Sequence, residues 1–406
     1  MVARARGCSQ ECPWRSRELC VCAAISASVI VVLFLMLAVV HCPLALQLAD
    51  GVSRRQALSL ASGAAAASVL SPGAATATTA AASPLKLPSF GIGAWAWGDS
   101  LFWKYEKKED AALRDVFDYV VESGVTLFDT AEVYGLGRSE TLLGQFAASN
   151  PKAANIQIAT KFAALPWRTK PSDVLEAAKK STDRLGRPID LYQIHFPNAY
   201  ANEEYWDGLA MAVDSGLVKA AGVSNYGKDA VRACKARLAS RGVPLVSNQI
   251  QLSLLYDYPL KNGLIDECKA QGVQVLAYSP LGLGLLTGKY TAESLPTGPR
   301  KSIAEKALAD PAFGPLLDTM REVGRGSASP AQVALAWCAA KGTTVIPGAR
   351  TLKQAESNLA ARNLKLTAAD VAALDAASAK LGPVLSPDSG PFPKKDKDTG
   401  LVMFDS

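Results

Sequence analysis

From residue 88 onward, short apolar runs alternate with longer segments whose apolar positions recur at helical spacing. Short apolar runs bounded by Gly, Pro, Asn or Asp indicate buried strands, and a 3.6-residue period indicates amphipathic helices. Eight strands are predicted, at residues 90–95, 125–129, 156–161, 191–195, 220–224, 245–249, 273–278 and 344–346. Helices are predicted at residues 110–122, 139–147, 172–184 (with Ser172 as N-cap), 203–215, 228–240, 259–271, 303–323, 331–341, 351–361 and 367–380.

Eight strands that alternate with helices predict an α/β fold, a single (β/α)8 TIM barrel over residues 85–383. The competing fold is a doubly wound parallel sheet. That fold favours a G-x-G-x-x-G turn after its first strand, and the segment that follows Phe90–Trp95 has none. In a barrel the C-terminal ends of all strands meet on one face, where catalytic residues are expected.

The first 84 residues do not follow this pattern. Residues 1–48 hold an uncharged apolar run, residues 23–40, which predicts a signal-like leader or a transmembrane anchor. In residues 49–84, the pair Arg54 and Arg55 precedes an Ala/Ser-rich stretch, and this resembles a twin-arginine export signal. Together the two parts resemble the layered targeting segment of an algal plastid protein, bound even for the thylakoid lumen. The alternative is a membrane-anchored protein with a disordered linker at 71–84.

Charge and cysteine content narrow the function classes. The formal net charge is +6, but residues 1–86 carry +4 of it, and a nearly neutral body argues against a nucleic-acid-binding surface. Five of the eight cysteines lie in the leader. The other three, Cys234, Cys268 and Cys338, are widely spaced and odd in number, so we predict buried thiols and neither a disulfide framework nor a metal site.

Candidate chemistry lies at successive strand ends. The second strand ends at Asp129, and Tyr134 follows five residues later; the third ends with Lys161, and the fourth with His195, the one histidine beyond the leader. Taken singly, each residue also has a structural explanation: an N-cap acid, a half-buried loop phenol, a surface amine and a structural imidazole. In a barrel, however, the four converge on one face.

These four side chains together make a proton-delivery device suited to carbonyl reduction. A phenol with a pKa near 10 is a poor acid at pH 7, and a neighbouring ammonium is expected to lower that pKa. The carboxylate of Asp129 would keep Lys161 charged and oriented, and His195 would donate a hydrogen bond to a carbonyl oxygen. Tyr134 would then give the proton while a hydride arrives from elsewhere.

Three motifs carry a family resemblance. Residues 128–135 (FDTAEVYG), 159–162 (ATKF) and 194–195 (IH) resemble signatures of the aldo-keto reductase family, and the match continues in order over roughly residues 88–381. The resemblance implies reduction of an aldehyde or ketone with NADPH, and it makes Asp129, Tyr134, Lys161 and His195 the catalytic residues. Residues 91–99 (GIGAWAWGD) also resemble plant-type plastid members.

The resemblance also implies where a nicotinamide cofactor binds. Ser224, Asn225 and Gln249 would hydrogen-bond the carboxamide, and Tyr278 would stack on the ring. The pyrophosphate would lie against Ser279 and Leu281, with Gly284 allowing close approach. Gly93 and Trp95 at the first strand end are assigned to the cofactor as well. The alternative explanation is a strand followed by a flexible glycine loop with ordinary polar residues.

For the adenosine end, the resemblance assigns backbone N–H groups of Gly348 and Ala349 and the side chain of Arg350 to a 2′-phosphate. Gln354 and Asn358, four residues apart on one helix face, would reach the adenine. Arg350 predicts NADP(H) over NAD(H), and the sequence places no acidic residue to favour a ribose 2′-OH instead. A surface arginine is the alternative for Arg350.

Aromatic residues are predicted to line a substrate pocket. Trp97, Trp167 and Phe196, with Trp95 beside them, lie in loops at the strand ends, which suits flat or apolar carbonyl compounds. The tail, residues 384–406, is rich in Pro, Gly, Asp and Lys and is predicted to be partly ordered, with Phe392 or Phe404 placed to cover the pocket.

Two function classes remain open. The first is an enzyme with a small carbonyl substrate, no nucleic-acid partner, and membrane association only through residues 23–40. The second is a cofactor-sensing regulatory subunit with slow turnover, similar to the potassium-channel β-subunits of the same family. A plastid stroma would supply NADPH, and a thylakoid lumen is a less obvious place to find it.

Overall fold

The computed structural model describes residues 85–198, 201–382 and 384–385, so the predictions for residues 1–84 and nearly all of the tail lie outside the described residues. Eight parallel strands pair in sequence order, and bridges from Phe90 to Val345 and from Gly93 to Gly348 join the last strand to the first. The strands are β1 Gly91–Gly93, β2 Leu127–Asp129, β3 Gln157–Phe162, β4 Ile189–Ile194, β5 Val218–Ser224, β6 Leu245–Gln251, β7 Gln274–Tyr278 and β8 Thr344–Val345. This order confirms the predicted (β/α)8 barrel and excludes the doubly wound sheet.

Helices surround the sheet, close to the predicted positions. They are α1 Asp110–Glu122, α2 Arg138–Ser149, α3 Pro171–Leu185, α4 Asn202–Asp214, α5 Lys228–Ala239, α6 Tyr258–Lys261, α7 Leu264–Ala270, α8 Arg300–Ala309, α9 Phe313–Gly324, α10 Pro330–Ala340, α11 Leu352–Ala360 and α12 Ala368–Ser378. Among these residues, no helix is both long and apolar enough to cross a bilayer.

Three details of the helix prediction are wrong for local reasons. The segment predicted as one helix over 303–323 is two helices, because Pro311 favours an extended residue before it and Asp310 has ψ 121°. The segment 259–271 is also divided, at Gly263, whose φ is 76°. The helix α3 begins one residue early, with Lys170 as its N-cap, since Pro171 is suited to the first helical position.

The barrel interior is layered, with an apolar layer beneath a polar one. Leu127, Ala159, Leu191 and Leu276 belong to one buried apolar cluster inside the sheet. Because side chains on a strand alternate between faces, the residue two positions later points the same way. Those residues are Asp129, Lys161, Gln193 and Tyr278, at or near the C-terminal ends of their strands. The fold therefore gathers polar groups at the mouth of the barrel.

The three body cysteines are free and buried, which confirms their prediction as buried thiols. Burial raises the pKa of Cys268 to about 11. Within the described part of the chain, no group of three or more His, Cys, Asp or Glu side chains is arranged to hold a metal ion.

Candidate active site

A buried ion pair lies at the centre of the mouth. Nζ of Lys161 donates to Oδ1 of Asp129 at 2.6 Å and to the Thr130 carbonyl oxygen at 2.7 Å. The same Nζ lies 3.4 Å from the Tyr134 hydroxyl oxygen. The Lys161 side chain is fully buried and Asp129 is nearly so. All three N–H bonds of the ammonium are thus directed at oxygen atoms of β2 and the loop that follows it.

A tight turn brings Tyr134 back over Lys161. Gly135 has φ 56°, and a Cβ there would lie 2.3 Å from the Gly98 carbonyl oxygen, so only glycine fits. The turn places the Tyr134 ring centroid 4.9 Å from Nζ of Lys161 and 6.0 Å from the Trp95 ring. The loops after β1 and β2 therefore fix the phenol together.

The pKa of Tyr134 differs from the sequence expectation. Burial raises it well above its usual value, and the charge of Asp129 adds to the effect. Burial also lowers the pKa of Lys161, while the adjacent carboxylate of Asp129 opposes that change. Lys161 was expected to lower the pKa of the phenol. Instead, the ammonium is held mainly by Asp129 and Thr130, and the phenol stays protonated at neutral pH.

His195 faces the phenol across the mouth. The two rings meet edge to face with centroids 5.7 Å apart. Burial, and then the charge of Lys161, lower the pKa of His195 well below its usual value. Its Nδ1 is buried and has no hydrogen-bond partner among the described residues. A neutral imidazole keeps one N–H donor and one acceptor, and here the protein does not fix which nitrogen carries the proton.

The depressed pKa gives a testable pH response. We expect the imidazole signals of His195 to keep neutral-ring shifts from pH 8 to about 6, below the usual midpoint near 6.5. NMR would measure this, with His195→Gln used to assign the signals of the chain's two histidines. Because the pKa of His195 is lower in the folded state than in the unfolded state, the contribution of this ring to stability is present above about pH 6.5 and is lost as the pH falls below that value. A midpoint near 6.5 would mean that the ring is solvated.

Gln193 is a site residue that sequence reasoning missed. Its Nε2 lies 3.3 Å from Oδ2 of Asp129, and Nε2 of Gln249 donates to the same oxygen at 2.7 Å. Asp129 therefore accepts hydrogen bonds on both oxygens. The signal in the sequence was a polar residue on the inward face of β4, two positions before His195.

The residues assigned to the nicotinamide end lie together, with contacts among themselves. Asn225, at φ 62°, donates from Nδ2 to the His195 carbonyl at 3.0 Å, and its Oδ1 accepts from the Tyr278 hydroxyl at 3.0 Å. Ser224 donates to the Gln249 carbonyl at 2.8 Å. The loop after β7 has left-handed conformations at Ser279, Leu283 and Gly284. Leu281 is partly buried beside them.

At the adenosine end, the loop after β8 lies against β1. Gly93 donates its N–H to the Pro347 carbonyl at 3.0 Å, and a Cβ there would lie 3.1 Å from the Ile346 carbonyl. Asn358 is buried and donates to the Gly348 carbonyl at 3.1 Å, so it supports the loop from below. The Arg350 N–H donates to Oε1 of Gln354 at 2.8 Å. Ala349 is buried, whereas Gly348 is exposed.

The structure corrects the assignment of Trp97 to the substrate pocket. Trp97 is fully buried, packs on Phe128 and Phe146, and donates from Nε1 to the Ala349 carbonyl at 2.7 Å. Phe128 points away from the barrel interior, since its neighbours on both sides, Leu127 and Asp129, point inward. Trp97 therefore belongs to the layer between sheet and helices.

Other aromatic residues do lie at the mouth. Trp95 stacks on Phe102 with centroids 4.7 Å apart and meets Trp103 edge-on at 5.4 Å. Phe196 is partly buried, 5.6 Å from the His195 ring. Trp167 is 52% exposed in the loop after β3. Phe102 and Trp103 are additions that the sequence prediction did not name.

Comparisons with known proteins agree with this architecture. The family model described as "Aldo/keto reductase family" matches residues 89–379. A chloroplastic pyridoxal reductase of Arabidopsis thaliana is 42% identical over 299 residues, 70% of this chain and 81% of the relative. An uncharacterized oxidoreductase of Mycobacterium tuberculosis is 38% identical over 307 residues, 72% of this chain and 90% of the relative.

A solved structure shows the same fold. The aldo-keto reductase from Klebsiella pneumoniae, in complex with NADPH, has a TM-score of 0.58 and 21% identity, over 77% of this chain and 93% of that one. The family model covers well over half of the chain, which confirms the resemblance found in the motifs. The protein is a member of the aldo/keto reductase family.

Proposed function

We propose that this protein is an NADP(H)-dependent oxidoreductase that reduces an aldehyde or ketone to an alcohol, with Tyr134 as the proton donor. The observation that carries the proposal is the position of Lys161 Nζ, 2.6 Å from Asp129 Oδ1 and 3.4 Å from the Tyr134 hydroxyl. A phenol between a buried ion pair and a neutral imidazole suits proton delivery to an oxygen atom.

The residues at the mouth fit a nicotinamide dinucleotide. The exposed Gly348 leaves backbone open beside Gly93, Arg350 supplies a cation for a phosphate, and Tyr278 offers a partly exposed ring at the β7 end. The fold neighbour from Klebsiella pneumoniae was crystallised with NADPH. When bound, the nicotinamide supplies the hydride.

The chain's own residues supply the proton and stabilise charge. A carbonyl oxygen at the mouth accepts hydrogen bonds from Tyr134 and from His195. The raised pKa of Tyr134 keeps its proton in place until the oxygen becomes an alkoxide, which is more basic than a phenolate. The Lys161 ammonium then stabilises the phenolate, and Asp129 holds Lys161 in position, itself held by Gln193 and Gln249.

Flat aromatic aldehydes are the substrate class that the mouth favours. The Trp95 ring lies beside Tyr134 and the Phe196 ring beside His195, and Trp103 meets Trp95 edge-on. The Arabidopsis relative is named a pyridoxal reductase, and pyridoxal is an aldehyde of this shape. The relatives give no support to the alternative of a regulatory subunit.

We place the protein in a plastid, in keeping with the chloroplastic relative and with the targeting pattern of residues 1–84. Nothing in the comparisons favours the thylakoid lumen, and a stromal location would supply NADPH. A fluorescent fusion of residues 1–90 that stays in the cytosol would overturn this assignment.

The test of the proposed function is an assay of the purified protein with NADPH or NADH and a panel of aldehydes. We expect loss of NADPH absorbance with aromatic aldehydes, including pyridoxal, at kcat/KM values well above those for short aliphatic aldehydes. Product analysis should show one alcohol formed for each NADPH consumed. Cofactor binding without turnover of any carbonyl would contradict the reductase assignment.

A further inference from the structure

The structure places a carboxylate against the arginine assigned to the cofactor's phosphate. Arg350 Nη2 forms an ion pair with Glu109, and Arg350 Nη1 donates to the Trp103 carbonyl at 2.7 Å. Glu109 ends a short 3-10 turn, residues 107–109, just before α1. The two partners are 241 residues apart, so the sequence expectation that no acid lies near the ribose 2′ position did not anticipate Glu109.

The loop after β1 holds this pair in place. Trp103 meets Arg350 through its carbonyl, and the guanidinium of Arg300 lies 4.6 Å from the Trp103 ring centroid. Both partners of the ion pair are about one-quarter exposed, at 26% and 28%. Glu109 is therefore neither deeply buried nor free in solvent, and it lies where a ligand held by Arg350 would meet it.

A carboxylate and a guanidinium at one point favour different ribose groups. An arginine pairs with a 2′-phosphate, whereas an acidic residue accepts a hydrogen bond from a 2′-hydroxyl. A carboxylate beside a phosphate also repels it, since both are negative. The contacts with Trp103 and Glu109 use Nη1 and Nη2 of Arg350. A guanidinium has five N–H donors, so it can bind more than one acceptor.

We propose that Glu109 is a specificity-determining residue that narrows the preference for NADP(H) over NAD(H), by opposing a 2′-phosphate and accepting a 2′-hydroxyl. This inference rests on the proposed function, because it concerns the same cofactor site. It predicts that the protein binds both NADPH and NADH, with Arg350 favouring the first and Glu109 the second.

The test is direct binding, by quenching of tryptophan fluorescence in the purified full-length chain with NADPH and with NADH. In Glu109→Gln, the Kd for NADPH should fall and the Kd for NADH should rise. The ratio of the two should change by about 5- to 10-fold, as expected for one partly exposed contact with a charged group. High salt should reduce the change in the Kd for NADPH, because it screens the repulsion between the carboxylate and the phosphate.

Glu106→Gln is the matched control, since Glu106 lies in the same loop and pairs with Lys108. The substitution removes the same negative charge as Glu109→Gln. Weaker NADPH binding in Glu109→Gln would overturn the proposal, because Glu109 would then only position Arg350. An equal change in both variants would also overturn it, since net charge would be the cause. If the parent chain bound neither cofactor, the cofactor assignment itself would fail. If the parent chain bound both cofactors and Glu109→Gln left the ratio of the two Kd values unchanged, the cofactor assignment would stand and only the role of Glu109 would be refuted.

Discussion

Replacing Tyr134 with phenylalanine is expected to lower kcat for carbonyl reduction by about 10²- to 10⁴-fold, the usual contribution of a positioned general acid. The variant removes one oxygen atom and keeps the ring, which packs 6.0 Å from Trp95. Because Lys161 keeps Asp129 and Thr130 as partners, the buried ion pair should survive. Steady-state turnover with an aromatic aldehyde and NADPH measures the effect.

Two comparisons make this prediction sharp. Tyr119→Phe makes the same change at a half-buried position near the C-terminal end of α1, on the side of the barrel opposite the mouth, and should leave kcat unchanged. Fluorescence titration of Tyr134→Phe with NADPH should give a Kd close to that of the parent, because the phenol is placed to meet the carbonyl. Turnover within a few-fold of the parent would mean that another group, with His195 the nearest candidate, delivers the proton.

Replacing Lys161 with methionine is expected to abolish turnover and also to destabilise the fold by about 3–5 kcal/mol, the cost of leaving one member of a buried ion pair alone. Asp129 is only 3% exposed, so the substitution would leave its buried carboxyl group without its cation partner. Denaturant unfolding of the cofactor-free protein measures the free energy change, provided that the slope with denaturant is unchanged.

A double variant separates stability from chemistry. Asp129→Asn combined with Lys161→Met removes both charges, so most of the lost stability should return while turnover stays absent. Lys152→Met, which removes a lysine from an exposed ion pair with Glu122, should change stability little. If Lys161→Met unfolds at the same midpoint and with the same slope as the parent, water reaches Asp129 and the pair is not buried in solution.

The prediction for Trp97 was wrong because the alternation of side chains along a strand was applied beyond the end of the strand. Trp95 and Trp97 are two residues apart, so a continuing strand would point both side chains the same way. β1 ends at Gly93, however, and the chain turns, so Trp95 stays at the mouth while Trp97 packs between the sheet and helices. Alternation therefore assigns a side chain reliably only as far as the strand extends.

The pairing of Asp129 with Lys161 depends on alternation within a closed sheet. Leu127 and Ala159 face the apolar interior, so the residues two positions later face the same interior one layer higher. In the register of the two strands Asp129 lies opposite Ala159, so Lys161 is two residues further along β3 and its long side chain reaches back to Asp129. The sequence pattern was enough to place both side chains on the inward face at the C-terminal ends of their strands, and the strand register then decided that they meet.

The sequence by itself determined the barrel, the strands that build its mouth and the position of Asp129, Lys161 and His195 at strand ends on one face, since short-range periodicity locates each strand. The turn at Gly135 then brings Tyr134 to the same place. Only the tertiary structure decided which groups surround them. Gln193 on Asp129, Glu109 on Arg350 and the raised pKa of Tyr134 arise from contacts and burial between distant segments. The physical reason is that solvent exclusion and long-range charge pairing depend on how loops close over the mouth, which no local pattern of apolar and polar residues specifies.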